Sequence, residues 1–150
     1  SPNRLIPDIV SSIANSELPQ IRNPMSVRPW QHVMDCLNGY IALMDLVLSG
    51  RSGSFNFGPN EGDFHTVEEV TTYVLNLYGI RDWDRGQSSQ NKEAGFLTLN
   101  SAKAIKELNW NNKISFIEGL ELTVDWYKAA KTGDEMRDFT IKQIEKFQSV

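Results

Sequence analysis

Two short segments of this sequence, TVEE at 66–69 and SFIE at 115–118, have the S/T-x-x-E pattern that begins an α-helix. In this pattern the hydroxyl side chain accepts from the backbone N–H three residues later, and the glutamate bonds back to the first residue. Each segment is followed by apolar residues at helical spacing, and each of these stretches ends next to a glycine. The sequence therefore predicts one helix over 66–78 and another from 115 to about 131.

The remaining regular structure is predicted to be helical with only short strands. Apolar residues at helical spacing predict further helices over 4–16, 34–49, 101–108 and 136–147. Short extended or alternating stretches predict strands at 18–22, 54–58 and 96–99, and the polar stretch 81–95 predicts a loop. These strands are too short to build a doubly wound sheet.

The fold class predicted from these elements is a mixed, helix-rich α/β lobe, smaller than a complete α/β domain. The 150 residues contain no repeat and no low-complexity tract, and they are long enough to bury a core. We therefore expect one domain over 1–150.

Composition excludes several classes of partner. The chain has 15 Lys and Arg against 19 Asp and Glu, a net charge of −4, which argues against binding nucleic acid or a membrane surface. No stretch approaches the roughly 20 apolar residues that span a bilayer. Cys36 is the single cysteine, so an internal disulfide is excluded and a cytoplasmic location is expected.

Motifs for cofactors, metals and nucleophilic catalysis are absent. There is no G-x-G-x-x-G turn after a strand, no G-x-x-x-x-G-K-[ST] and no G-x-S-x-G. The two histidines, His32 and His65, lack metal-ligand spacing, and one cysteine cannot complete a zinc site. We therefore expect no metal and no cofactor bound by this chain itself.

One motif suggests a catalytic pair and has a simpler explanation. Tyr127 and Lys131 have the Y-x-x-x-K spacing of a short-chain dehydrogenase tyrosine and its lysine. They lie at the end of a predicted C-terminal helix, with no cofactor-binding strand before them. We interpret Tyr127 as a packing residue, and Lys128 and Lys131 as cations favoured at the helix C-terminus.

A basic and aromatic cluster stands out in this acidic chain. The segment IRNPMSVRPWQHVMD, 21–35, holds Arg22, Arg28, Trp30 and His32 within eleven residues. Guanidinium groups pair with anions, and phosphate is a natural partner for their planar fork. The cluster suggests an anionic ligand that also carries a ring.

Five segments in this order resemble a known family: RLIPDIV, IRNPMSVRPWQHVMD, FNFGPN, KEAGFLTLNSAKAIKELNW and VDWY. Together they resemble the C-terminal part of the extended short-chain dehydrogenases that modify nucleotide sugars. The VRPWQHV form and the FTIKQIEKF segment after VDWY make the CDP-glucose 4,6-dehydratases the most similar branch.

The resemblance implies that the cofactor and the nucleotide sugar are bound by different parts of the enzyme. In that family an N-terminal Rossmann domain holds NAD and supplies the catalytic groups, and the C-terminal part binds the nucleotide diphosphate of the sugar. This chain matches only the second part, so it is expected to lack the Rossmann domain, to have no catalytic residues and to be inactive alone. Its expected partners are CDP-glucose or a related nucleotide sugar, the Rossmann domain and, in the absence of that domain, a second copy of itself.

Site residues follow from the resemblance position by position. Arg28 matches the arginine that binds the substrate diphosphate, although an arginine paired with a surface carboxylate is the alternative. Ile21 and Arg22 lie in the segment that matches the strand beside the base, where backbone amides would read a pyrimidine edge. Arg4 and Asn3 match the edge of the sugar site. Trp30 and His32 are expected to pack and orient this turn.

Two further positions complete the expected site. Asn56 matches an asparagine near the substrate, with a turn-stabilising role as the alternative. Glu93 matches an acidic residue that accepts from the ribose hydroxyls, and Lys92 adds a positive group next to it. The CDP-glucose branch usually has Pro-His before this acid where the present chain has Asn91-Lys92, so the sugar nucleotide itself is left open.

Two alternatives remain open from the sequence. The same lobe can belong to another nucleotide-sugar dehydratase or to an epimerase, or the chain can be a stand-alone helical interaction domain without catalysis. Convergence of Arg28, Asn56 and Glu93 on one cleft would favour a nucleotide-sugar-binding lobe. Their scatter would favour a stand-alone interaction domain.

Overall fold

The computed structural model describes residues 4–86 and 95–149. Within these ranges it contains six α-helices and four strands of two residues each, which confirms the helix-rich α/β class. No helix in these ranges is long and apolar enough to span a lipid bilayer. The helices are α1 (Leu5–Ala14), α2 (Val33–Leu48), α3 (Val67–Leu77), α4 (Ala102–Leu108), α5 (Phe116–Thr132) and α6 (Met136–Gln148). The strands are β1 (Gln20–Ile21), β2 (Val27–Arg28), β3 (His65–Thr66) and β4 (Asp84–Arg85).

The four strands form two separate pairs. β1 and β4 are parallel, with Gln20 opposite Asp84 and Ile21 opposite Arg85. β2 and β3 are antiparallel, and their pairing spans only two residues of each strand. The described residues therefore contain no doubly wound sheet.

Two predicted strands are wrong, and one strand lies where a loop was predicted. In 54–58 backbone groups bond to side chains, since the Gly58 N–H donates to Ser101 Oγ at 2.9 Å. In 96–99 only Phe96 forms a bridge, with Val27. β4 lies inside the stretch 81–95 that the sequence predicted to be loop. Phe57 packs into the core of the second unit, whereas Phe96, Leu97 and Leu99 are exposed, so apolar and aromatic composition alone does not specify a strand.

The chain divides into two compact units. The first comprises 1–28 and 65–97, and the second comprises 29–64 and 98–150. The description of 1–150 as one substrate-binding lobe stays a prediction.

The first unit is built on the packing of α1 against α3. Ile9, Val70 and Val74 are completely buried there. The start of α3 is the predicted capping box: the Glu69 N–H donates to Thr66 Oγ1 at 3.1 Å, and the Thr66 N–H donates to Glu69 Oε2 at 2.6 Å. The Thr66 N–H and the Thr66 hydroxyl, which donates to the same oxygen at 2.8 Å, stabilise the charged carboxylate and so lower the pKa of Glu69.

The second unit is organised around the buried carboxylate of Asp35, in the first turn of α2. Asp35 is completely buried. Its Oδ1 accepts from the Lys113 N–H at 2.8 Å, and its Oδ2 accepts from the Ile114 N–H at 3.1 Å. Its backbone carbonyl accepts from Trp110 Nε1 at 3.1 Å. Burial raises the pKa of Asp35, although the two backbone hydrogen bonds act in the opposite direction.

An aromatic cluster lies next to Asp35 and its hydrogen bonds. The Phe57 ring packs edge-on against Trp110, with 5.1 Å between centroids, and against Tyr40 at 5.9 Å. A Cβ atom at Gly39 would overlap the Phe57 ring. Gly39 is therefore required because the aromatic ring lies directly on the α2 backbone.

The α5–α6 hairpin closes the second unit. Trp126 Nε1 donates to Thr140 Oγ1 at 3.0 Å, and Gln143 Nε2 donates to the Leu122 carbonyl at 2.9 Å. Tyr127 is half-buried and packs edge-on against Trp126 at 5.4 Å. This contact agrees with the interpretation of Tyr127 as a packing residue.

We predict that Asp35→Ala destabilises the chain by about 2–4 kcal/mol, because two backbone N–H groups lose their acceptor inside the fold. Urea unfolding followed by circular dichroism measures this change. Asp45→Ala is the matched control, since Asp45 is exposed on the same helix, and its effect should stay within about 0.5 kcal/mol. Equal effects of the two substitutions would contradict the role of Asp35.

Candidate functional site

Arg28 is positioned by backbone hydrogen bonds on both sides of its strand. The Val27 N–H donates to the Gly95 carbonyl at 2.9 Å, and the Leu97 N–H donates to the Val27 carbonyl at 3.1 Å. On the other side Arg28 pairs with His65 in β3. The strand therefore holds the Arg28 backbone between two other segments of the first unit.

The Arg28 side chain is half-buried and folds back onto the backbone of its own strand. Its Nη1 donates to the Val27 carbonyl at 2.9 Å. This bond restricts the guanidinium before any ligand binds, which lowers the entropy cost of engaging an anion. A planar guanidinium can meet two phosphate oxygens at once.

The segment predicted to lie beside a base is a strand in the first unit. Ile21 is buried, and its carbonyl accepts from the Gly86 N–H at 3.1 Å. The Pro19 carbonyl accepts from the Asp84 N–H at 2.9 Å. Arg22, the next residue, is exposed. The carbonyls of this segment thus bind β4, and the recognition of a base by its amides stays a prediction.

Arg4 lies immediately before α1. It is exposed, and its carbonyl accepts from the Asp8 N–H at 2.9 Å. Its backbone is extended, with φ −112° and ψ 124°, so it caps the helix through the main chain. Asn3, predicted with it at the sugar site, lies outside the described residues.

Asn56 lies in the second unit and is exposed. Its Nδ2 donates to the Asn100 carbonyl at 3.3 Å, and Asn100 Oδ1 in turn accepts from the Ala102 N–H at 2.9 Å. Asn56 therefore bonds to the turn before α4, and its place near a substrate stays a prediction.

The expected site residues are distributed over the two units. Arg4, Ile21, Arg22 and Arg28 lie in the first unit, and Asn56 lies in the second. Lys92 and Glu93 lie outside the described residues. The convergence of Arg28, Asn56 and Glu93 on one cleft stays a prediction.

Two residues with structural importance near the cluster were not identified as such from the sequence. Asp35 was read only as part of an apolar helix, although an isolated acid in the run VMDCL is a signal for a buried acceptor. His32 was expected to orient the turn, and its Nδ1 accepts from the Met34 N–H at 3.3 Å, so it caps α2. Burial lowers the pKa of His32, and the carboxylates of Asp35 and Glu118 oppose this shift.

The sequence is similar to that of a curated enzyme over nearly its whole length. It is 36% identical over 151 residues to a CDP-glucose 4,6-dehydratase from Salmonella typhimurium, an alignment that covers 98% of this chain and 42% of that protein. The chain thus spans about two fifths of the length of this relative. None of the protein-family models matches the sequence.

Two solved structures have a similar fold. A dTDP-glucose 4,6-dehydratase from Bacillus anthracis in complex with NAD has a TM-score of 0.71 and 28% identity, covering 89% of this chain and 42% of that one. A UDP-glucose 4-epimerase from Stenotrophomonas maltophila, with bound NAD and a formylated UDP-arabinopyranose, has a TM-score of 0.73 and 22% identity. The alignment with the epimerase covers 88% of this chain and 41% of that one.

We predict that Asn56→Ala changes the free energy of unfolding by less than about 1 kcal/mol, because its bond to Asn100 is exposed to water. Ser101→Ala should cost more, about 1–3 kcal/mol, because the Gly58 N–H that it satisfies is buried. Denaturant unfolding of both variants beside the unmodified chain measures the difference. A large loss of stability in Asn56→Ala would contradict the small contribution expected of this exposed hydrogen bond and would remove Asn56 as a probe of ligand binding.

Proposed function

We propose that this chain, which belongs to the extended short-chain dehydrogenase family of nucleotide-sugar dehydratases and epimerases, is the nucleotide-sugar-binding portion of a CDP-glucose 4,6-dehydratase. The observation that carries the proposal is the 36% identity to such an enzyme over 98% of this chain. The longer enzyme would convert CDP-glucose to a 4-keto-6-deoxy sugar nucleotide.

Arg28 is proposed to bind the diphosphate. Its backbone is held between β3 and residues 95–97, and its guanidinium begins from a fixed position because it donates to the Val27 carbonyl. A diphosphate carries several charged oxygens, and a charge-assisted fork to two of them is stronger than a neutral hydrogen bond. Preorganisation of the strand supports affinity for this group.

The nucleoside is proposed to lie near the same strand. Glu93 would accept from the ribose hydroxyls, with Lys92 next to it, and both precede Gly95, whose carbonyl accepts from the Val27 N–H. Ile21 and Arg22 would lie along the pyrimidine edge. Arg4 and Asn3 would face the sugar, and Asn56 would lie near it while it also holds its turn.

NAD belongs to the rest of the longer enzyme in this proposal. In the longer enzyme NAD would supply the hydride-transfer chemistry at the sugar. The described residues of this chain do not fit a dinucleotide, because their one parallel strand pair is two residues long and lacks a glycine-rich turn into a helix. The role of this chain is to hold and orient the nucleotide.

An apolar face of α2 is proposed to pack against the cofactor-binding part. Seven apolar side chains of this helix are each at least 50% exposed, and five of them follow a 4-3-4-3 spacing along one face. Exposed apolar patches of this kind mark interaction sites. The seven residues are Val33, Leu37, Tyr40, Ile41, Met44, Val47 and Leu48.

Another member of the same family is the second candidate. The B. anthracis dTDP-glucose dehydratase has a similar fold at 28% identity, so the shared framework supports binding of more than one nucleotide. The pair Asn91-Lys92, where Pro-His is usual in the CDP-glucose branch, favours this alternative. A stand-alone helical interaction domain would bind none of these nucleotides.

We predict that the 150-residue chain by itself neither binds NAD nor converts CDP-glucose, because the dinucleotide turn and the catalytic segment are absent from its sequence. Calorimetry with NAD and an assay for the 4-keto sugar test this. Clear turnover by a pure sample would contradict the proposal and would make Tyr127 a candidate catalytic residue.

We predict that the chain by itself associates with itself through the apolar face of α2. Sedimentation velocity over a range of protein concentrations should show association in the unmodified chain and a monomer in Met44→Glu. Ile105→Glu, at an exposed apolar position on α4, is the matched control and should associate like the unmodified chain. A monomeric unmodified chain at high concentration would argue against this use of the face.

We predict that any affinity for CDP depends on Arg28. Arg28→Ala should weaken binding about ten- to a hundredfold, since a lost charge-assisted hydrogen bond costs about 1.5–3 kcal/mol. Arg28→Lys should recover part of the affinity, because an ammonium keeps the charge but not the fork. The measurement is a calorimetric titration with CDP, UDP and dTDP, repeated in a chain extended by an NAD-binding domain.

Arg51→Ala is the control for the loss of one positive charge, because Arg51 is exposed in the second unit. It should leave the affinity for CDP unchanged. If Arg28→Ala binds CDP as tightly as the unmodified chain, the assignment of Arg28 to the diphosphate is wrong. Stronger binding of dTDP than CDP would favour the second candidate.

A further inference from the structure

The N-terminus of α2 depends on a side chain that titrates near neutral pH. His32 is the N-cap residue, with extended backbone at φ −71° and ψ 142°. Its Nδ1 accepts from the Met34 N–H at 3.3 Å. A ring nitrogen can accept only while it carries no proton, so this cap exists only in the neutral imidazole.

The imidazole is also packed against the start of α5. A Cβ atom added to Gly119 would lie 3.3 Å from the His32 Cβ. The adjacent Gln31 Nε2 donates to Asn112 Oδ1 at 2.7 Å, so the chain on the other side of His32 is held as well. His32 therefore lies close to the α5 backbone at Gly119 and follows a residue that is bonded to Asn112.

Charged groups around His32 act in both directions. Asp35 on α2 and Glu118 on α5 favour a positive imidazole. Each carboxylate is already engaged, Asp35 by two backbone N–H groups and Glu118 by Lys146 Nζ at 3.5 Å. Lys113 lies near Asp35 and offsets part of its charge. The positive end of the α2 dipole also opposes a cation at this position.

Loss of the cap would also affect Asp35, which holds residues 110–114 in the second unit. Asp35 follows His32 by three residues, and its own N–H donates to the His32 carbonyl at 3.2 Å. Asp35 holds Lys113 and Ile114 through its carboxylate and Trp110 through its carbonyl. Loosening the first turn of α2 therefore loosens the attachment of 110–114.

We propose that His32 is an acid-sensitive latch of the second unit: a proton on Nδ1 breaks the cap of α2 and loosens the hold of Asp35 on residues 110–114. This inference is independent of the proposed nucleotide site. It concerns the stability of the second unit.

The direction of the pH effect follows from linkage. Burial lowers the pKa of His32 in the folded chain below its ordinary value of about 6.5, so the unfolded chain binds more protons as the pH falls below that value. The stability contributed by neutral His32 is complete above about pH 6.5 and is lost as the pH falls through the folded pKa. One extra proton in the open state raises the opening constant by up to about tenfold per pH unit.

The test compares the unmodified chain with His32→Asn between pH 7.5 and pH 5.0. Asparagine is a good N-cap that does not titrate, so the variant should keep the cap and lose the additional pH dependence. Urea unfolding should show the opening constant of the unmodified chain rising by up to about tenfold per pH unit relative to the variant. His65→Asn removes the other histidine and should behave like the unmodified chain.

Two further measurements keep the test decisive. Hydrogen exchange, corrected for the intrinsic effect of pH, should show the amides of Met34, Lys113 and Ile114 losing protection in acid in the unmodified chain but not in the variant. His32→Ser supplies a second non-titrating cap if the asparagine variant does not fold. Equal pH dependence in the unmodified chain and a capped variant would overturn the proposal, as would an NMR titration of His32 at or above pH 6.5.

Discussion

The buried carboxylate of Asp35 is the interaction on which the second unit depends. A charged group this deeply buried is tolerated only when its oxygens are matched by donors, and both oxygens accept backbone N–H groups. The same residue accepts from Trp110 through its carbonyl, so one position of α2 fixes three residues of the 110–114 segment. Trp110 then supports Phe57, whose ring lies on the α2 backbone at Gly39.

The first unit is fixed by a different device. Its strands are only two residues long, yet Val27 bonds to residues 95 and 97 on one side while its strand pairs with β3 on the other. Backbone hydrogen bonds of this kind specify the position of a residue whatever its side chain. The backbone position of Arg28 is therefore set by these hydrogen bonds, and the binding of an anion by its guanidinium stays a proposal.

One face of α2 is apolar and exposed. A helix in a complete domain usually covers its apolar face. Here the opposite face of α2 holds the buried Asp35, Gly39 and Leu46, while the stripe from Val33 to Leu48 is open. A chain that spans two fifths of its curated relative and exposes such a face agrees with the proposal that it works against a further polypeptide.

The sequence by itself determined the helices and their ends, and it predicted an anionic ligand. Helix starts at Thr66 and Ser115 were predictable because a cap is a contact between residues three apart. The arginine cluster and the order of five short segments indicated a phosphate-bearing nucleotide. The tertiary structure alone decided the rest. Residues 54–58 and 96–99 did not become strands, and β4 formed in a predicted loop, because pairing depends on partners distant in the chain. The donors to Asp35 are likewise distant in the chain, since they belong to Trp110, Lys113 and Ile114.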